Sequence, residues 1–100
     1  MKHSCEKKVN GEVYILLGEE DVTWHTFPMF ASSFFEKINA SNVQHLYCEE
    51  VFDAHVYHFV WRGMKYELFY EEWPGTITID ALENDSDAVA LSSFLWGLVE

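Results

Sequence analysis

Apolar positions recur along this chain with two periods, and turn residues separate them. Val13 to Leu17 (VYILL) is an apolar run closed by Gly18, and predicts a strand followed by a charged turn at Glu19 to Asp21. Phe27, Phe30, Phe34, Phe35 and Ile38 then recur at helical spacing, with Ser32, Ser33, Glu36 and Lys37 on the opposite side. Pro28 suits the first turn of that helix, where its missing N–H is no loss, and Asn39 to Asn42 ends it. Between Val43 and Ala81, alternating residues and three turn signals predict four strands. The turns are Asp53-Ala54, Arg62-Gly63 and Pro74-Gly75. Last, Asn84 or Asp85 can cap a helix whose apolar positions are Ala88, Leu91, Leu95 and Leu98, with Asp85 and Asp87 favouring its dipole.

Each turn implies a pairing register. Arg62-Gly63 sets Trp61 against Met64, Phe59 against Tyr66, Tyr57 against Leu68 and His55 against Tyr70. A two-residue turn at Pro74-Gly75 sets Tyr70 against Ile79 and Leu68 against Ala81. One at Asp53-Ala54 sets Phe52 against His55 and Cys48 against Phe59. All these residues share one, almost wholly apolar, side of the sheet. The expected fold is α+β, a two-layer sandwich of order β-α-β-β-β-β-α. Its antiparallel meander has both helices packed on one face, and its first strand completes the sheet.

The registers also define the opposite face. There Tyr47, Val51, Val56, Val60 and Phe69 mix with His45, Glu49, His58, Lys65, Glu67, Glu71, Thr76, Thr78 and Asp80. One row crosses the strands as Glu49, His58, Glu67, and two carboxylates there would favour the charged imidazole. A solvated face with cross-strand charge pairs is one reading. The other is a contact surface made by Tyr47, Glu49, Val51, Val56, His58, Val60, Glu67 and Phe69, because contiguous exposed apolar patches mark interfaces.

Length and composition narrow the class. One hundred residues, 49% apolar and 17% aromatic, predict a single domain over 1–100 with one core. Seventeen Asp and Glu against six Lys and Arg give a formal net charge of −11. Such a surface repels nucleic-acid backbones and anionic lipid, so neither direct nucleic-acid nor membrane binding is expected. The acids either solubilise the domain or dock a basic partner. The basic cluster Lys2, Lys7 and Lys8, interleaved with His3 and Glu6, reads as a solvated terminus. No secretory signal or spanning segment is recognisable, which points to the cytoplasm and to free thiols at Cys5 and Cys48.

Candidate chemistry is sparse. His45-x2-Cys48 and His55-x2-His58 resemble ligand spacing, but residues three apart on a strand face opposite sides unless the strand bends. Cys48, placed beside Phe59, reads as a small buried hydrophobe rather than a nucleophile. The Glu49, His58, Glu67 row lies on a flat face with no implied cleft, and the five glycines form no phosphate loop. Trp24, Trp61, Trp73 and Trp96 read as core rather than a ligand box, with Trp73 the most exposed. No catalytic residue, metal ligand or cofactor is therefore expected.

The segment LFYEEWPGTITIDALENDSDAVALSSFLWGL, about the last third of the chain, resembles small uncharacterised acidic proteins of gamma-proteobacteria. It shares with them a strand, an acidic loop and an aliphatic closing helix. The resemblance implies a bacterial cytoplasmic setting and brings no activity. The expected function is a non-enzymatic protein-interaction or regulatory module, binding a protein partner or itself through the open sheet face or the acidic surface. The alternative is an acidic inhibitor of a basic nucleic-acid-binding protein, a charge mimic or immunity-type protein. A small enzyme or metal protein ranks third.

Overall fold

Among the described residues, the runs of period two and one further strand at the amino end pair into an antiparallel sheet of six strands. The computed structural model describes residues 2–18, 21–49, 54–72 and 75–98, and residues 47–49 by their backbone alone. The elements are β1 (His3–Lys7), β2 (Val13–Leu17), α1 (Phe27–Ile38), β3 (Ser41–Glu49), β4 (Ala54–Trp61), β5 (Met64–Glu71), β6 (Thr76–Ala81) and α2 (Asp85–Trp96). The spatial order is β1-β2-β6-β5-β4-β3. From β2 onward this is the expected order of strands and helices.

The amino end departs from the expected solvated terminus. His3 to Lys7 pairs with β2 as an edge strand, Cys5 opposite Ile15 and His3 opposite Leu17. Only His3 of this strand is buried, because α2 reaches over it. Its Nε2 lies 3.0 Å from the Ser92 hydroxyl, and its ring packs against Trp96 at 4.4 Å. A strand that buries one residue in five carries no alternating signature.

Helix α1 is capped as its sequence suggests. Pro28 lies in the first turn, and Asn39 takes the left-handed conformation at φ 59°. The Asn39 and Ala40 amides then close the last turn on the carbonyls of Glu36 and Phe35. Asn84 stands at the α2 N-cap in extended conformation without a side-chain cap bond. Helix α1 covers β4 and β5. Phe27 stacks on Tyr70 at 4.7 Å, and Phe35 lies 5.0 Å from Phe59. Helix α2 covers β1, β2 and β6. Ile15, Leu68, Ile79, Leu91 and Leu95 are fully buried between the layers.

The Arg62-Gly63 hairpin has the expected register, Trp61 opposite Met64 through His55 opposite Tyr70. Arg62 and Gly63 both take positive φ, 51° and 79°, as a two-residue turn matched to strand twist requires. The Arg62 guanidinium lies over the rings of Trp61 and Phe94 at 4.6 and 4.9 Å. Gly63→Ala meets no neighbouring atom, so backbone strain alone sets its cost. We expect about 1 kcal/mol in a urea titration.

The other two hairpins pair differently from expectation. Tyr70 stands opposite Ile77 and Leu68 opposite Ile79, two residues away from the expected pairing. The connection runs over residues 72–75 rather than Pro74-Gly75 alone, with the Gly75 amide bonded to the Glu71 carbonyl. Cys48 stands opposite His55, not Phe59. The Phe52 pairing lies outside the described residues, as do Trp73 and Pro74. Shifts by an even number keep each residue on its face, so the core survives both corrections.

Candidate functional site

The helices occupy one side of the sheet, and among the described residues no element covers the other. Two rows of side chains cross it. One runs Glu6, Tyr14, Asp80, Glu67, His58, Gln44, in register from β1 to β3. The other runs Ser4, Leu16, Thr78, Phe69, Val56 and the Tyr47 position. Val56, His58, Val60, Glu67 and Phe69, all expected contact residues, are half-buried on this face. Tyr47 stands opposite Val56 and Glu49 opposite Ala54, while Val51 lies outside the described residues.

The expected carboxylate–histidine–carboxylate row is therefore corrected at one end. His58 Nε2 lies 3.6 Å from the Glu67 carboxylate, but its β3 neighbour is Gln44 rather than Glu49. The longer β3–β4 connection moves Glu49 four residues along the ladder.

Lys8, in the β1–β2 turn, reaches back over the polar row. Its ammonium lies 2.7 Å from Asp80, 3.8 Å from Glu12 and 5.9 Å from the Tyr14 ring centroid. The hydrogen bond to Asp80 raises its pKa above the usual lysine value; partial burial works against this less strongly, and the charges of Asp80, Glu12 and Glu67 add to the rise. Asp80 thus has a basic partner within the chain. Beside Lys8, an open concavity of about 670 Å³ lies over Tyr14, Leu16, Phe69 and Thr78. Its breadth and its mixed apolar and hydroxyl lining suit a contact surface better than an enclosed reaction site.

The second cluster of chemistry lies on the helix side, at the end of the sheet where β3 and β4 join. His55 is 2% exposed. Its Nε2–H donates to the Trp24 carbonyl at 2.8 Å, which leaves Nδ1 as an acceptor in the neutral ring. His45 Nε2 meets that Nδ1 at 3.0 Å and supplies the proton. The Trp24 ring stacks on His55 at 5.0 Å, and His45 stacks on Tyr57 at 4.2 Å. The Trp24 segment is held by three more bonds. Its amide donates to Glu72, its indole N–H to the Ala54 carbonyl, and the Tyr70 hydroxyl to the Val22 carbonyl.

Here the strand-parity expectation for His45 fails. A bulge between His45 and Tyr47 sets His45 opposite Tyr57 and Cys48 opposite His55. Both Tyr57 and His55 face the helices, so His45 leaves the open face and shares the helix side with the Cys48 position. His55 and His58 do face opposite sides, the first buried and the second half-exposed. No glycine or proline marks the bulge in the segment QHLY, so periodicity alone could not find it. Of the tryptophans, Trp61 is in the core and Trp96 is 66% exposed beside His3.

Comparison with known protein families, curated proteins and solved structures returns no match. Among the described residues, no helix is long and apolar enough to cross a membrane.

Proposed function

We propose that this domain is a non-enzymatic protein-interaction module whose contact surface is the open sheet face. The observation that carries this reading is the uncovered row of Leu16, Phe69 and Val56, continuous across β2, β6, β5 and β4 through Thr78. An apolar strip of this width, rimmed by polar groups, is the usual composition of a contact surface. Of its flanking carboxylates, Asp80 is paired with Lys8 and Glu67 lies 3.6 Å from His58, so the strip does not require a strongly basic partner.

A second reading draws on the topology. Asp21 and Glu72 lie in connections at one end of the sheet, next to Glu71 at the end of β5. By sequence, Glu19 and Glu20 adjoin Asp21, and Glu50 and Asp53 fall between β3 and β4. This acidic end supports the charge-mimic alternative, a contact with a basic nucleic-acid-binding protein.

The test is capture from bacterial lysate on the tagged protein, washed at low and high salt, with Val56→Glu and Phe69→Glu alongside. The sheet-face reading expects partners kept at high salt by the wild type and lost with either variant. Both variants should melt within a few degrees of the wild type, since each side chain is already half-solvated. Partners released by salt and indifferent to both variants would instead favour the acidic end.

A further inference from the structure

We propose that the open sheet face pairs with the same face of a second copy of this chain, as a sandwich of two sheets. The inference rests on the sheet-face reading and names its partner.

The strip is suited to meet itself. From β1 to β3 it runs Ser4, Leu16, Thr78, Phe69, Val56 and the Tyr47 position, with no charged residue in the row. Burying it therefore desolvates no ion. A two-fold axis parallel to the strands, passing between β5 and β6, lays the row on its own reverse. Each β5 residue then lies over its own β6 register partner from the second copy. Phe69 covers Thr78 of the second copy, and Val56 covers its Leu16. Aligned sheets keep their strands within about 30° of one another, so the match extends to neighbouring strands.

Shape agrees with this pairing. Leu16 and Thr78 form part of the floor of the open concavity of about 670 Å³. In the paired arrangement Val56 and Phe69 of the second copy enter it. Val9, a wholly exposed apolar side chain, stands on its rim and extends the contact. The chain measures 33 × 31 × 24 Å. A sheet face of that breadth is of the order of the roughly 800 Å² per partner in a standard interface.

The same axis sorts the charges. Glu71 meets Thr76 of the second copy. Lys65 meets Leu82, which lies opposite it through the Leu82 amide and is itself exposed. The lysine stem can cover that leucine while its ammonium stays in water. Of the matched β5 and β6 positions, only Glu67 and Asp80 set like charges together. Lys8 already stands there, 2.7 Å from Asp80, and supplies the cation between the two carboxylates.

The test is sedimentation equilibrium of the full chain from about 1 to 200 μM, at low and high salt. The expected result is a monomer–dimer equilibrium that persists at high salt, because the strip is uncharged. Phe69→Glu and Thr78→Lys should each weaken the dimer by more than about tenfold, since each sets a charge against an uncharged neighbour. Mixed in equal amounts they should recover it, because the new carboxylate and ammonium face each other across the axis. Melting curves establish that each variant folds, and Val56→Glu with Leu16→Lys repeats the test should one of the first pair not fold. Wild-type protein that stays monomeric throughout overturns the self-pairing, whereas the sheet-face reading itself falls only if lysate partners ignore Val56→Glu and Phe69→Glu. A dimer left intact by a folded Phe69→Glu overturns it as well, and so does a mixture of folded variants that stays monomeric.

Discussion

Phe27→Ala should destabilise the domain by about 3–5 kcal/mol, a large share of what holds a domain of this size together. Phe27 is wholly buried at the start of α1. Its ring contacts Tyr70, His55 and Tyr57 at centroid distances of 4.7, 5.6 and 5.9 Å, and Phe30 at 5.6 Å. Truncation removes those contacts and opens a cavity that the stacked rings cannot fill. The hydrogen-bonded Trp24 segment fixes the wall on one side, and the sheet fixes the other. Each kcal/mol lowers Tm by roughly 4–8 °C in a domain of this size. Met29→Ala is the control on the same helix. Met29 is 78% exposed, and its loss should stay within about 0.5 kcal/mol. Urea denaturation of both variants decides the matter. A Phe27→Ala effect below about 1 kcal/mol would mean that α1 does not pack on β4 and β5 as described.

Alkaline titration should expose Tyr66. Its ring is buried, and its hydroxyl donates to the Asp87 carbonyl at 2.8 Å, tying β5 to the first turn of α2. Burial, helped by the Asp87 charge, pushes the phenol well above its ordinary value of 10.0. In the unfolded chain the phenol ionises at its ordinary pH, while in the folded domain it stays neutral. The stabilisation is therefore fully present below pH 10 and is lost as pH rises towards the folded-state value. In that window each pH unit costs about 1.4 kcal/mol for this one group. Tyr66→Phe should lose about 1 kcal/mol at neutral pH, from the missing hydrogen bond, and lose less than the wild type on going above pH 10. Parallel stability curves for the two proteins from neutral pH upward would refute the assignment.

Much of the fold was legible because the two periodicities are strong and mutually consistent. Phe27, Phe34, Phe35 and Ile38 are buried as the helical stripe requires, and Tyr57, Phe59, Tyr66 and Leu68 as the alternation requires. Face membership was robust for a simple reason. Connections two and four residues off the expected turns slide a strand by an even number, which leaves its parity unchanged. The open-face set Val56, His58, Val60, Glu67 and Phe69 was readable for the same reason, as was the His58–Glu67 pair next to an unambiguous turn.

Other features are not local properties. β1 buries only His3, so nothing in its own pattern separates it from a solvated tail, and the place of β2 beside β6 depends on a contact between distant segments. The loss of Glu49 from the His58 row followed from a connection length that no turn motif specified. The bulge between His45 and Tyr47 reverses parity, and a second register shift lies between Ser41 and Gln44. The first of these takes His45 off the open face and brings it to His55, through a pairing of edge strand with neighbour that local composition does not encode. By itself, then, the sequence determined which residues are apolar, at what period they recur and which face each strand turns inward, because those depend on side chains a few positions apart. Only the tertiary structure decided the offset between strands, the edge strand at the amino end and the meeting of His45 with His55. Those depend on loop closure and on packing between segments far apart in the chain.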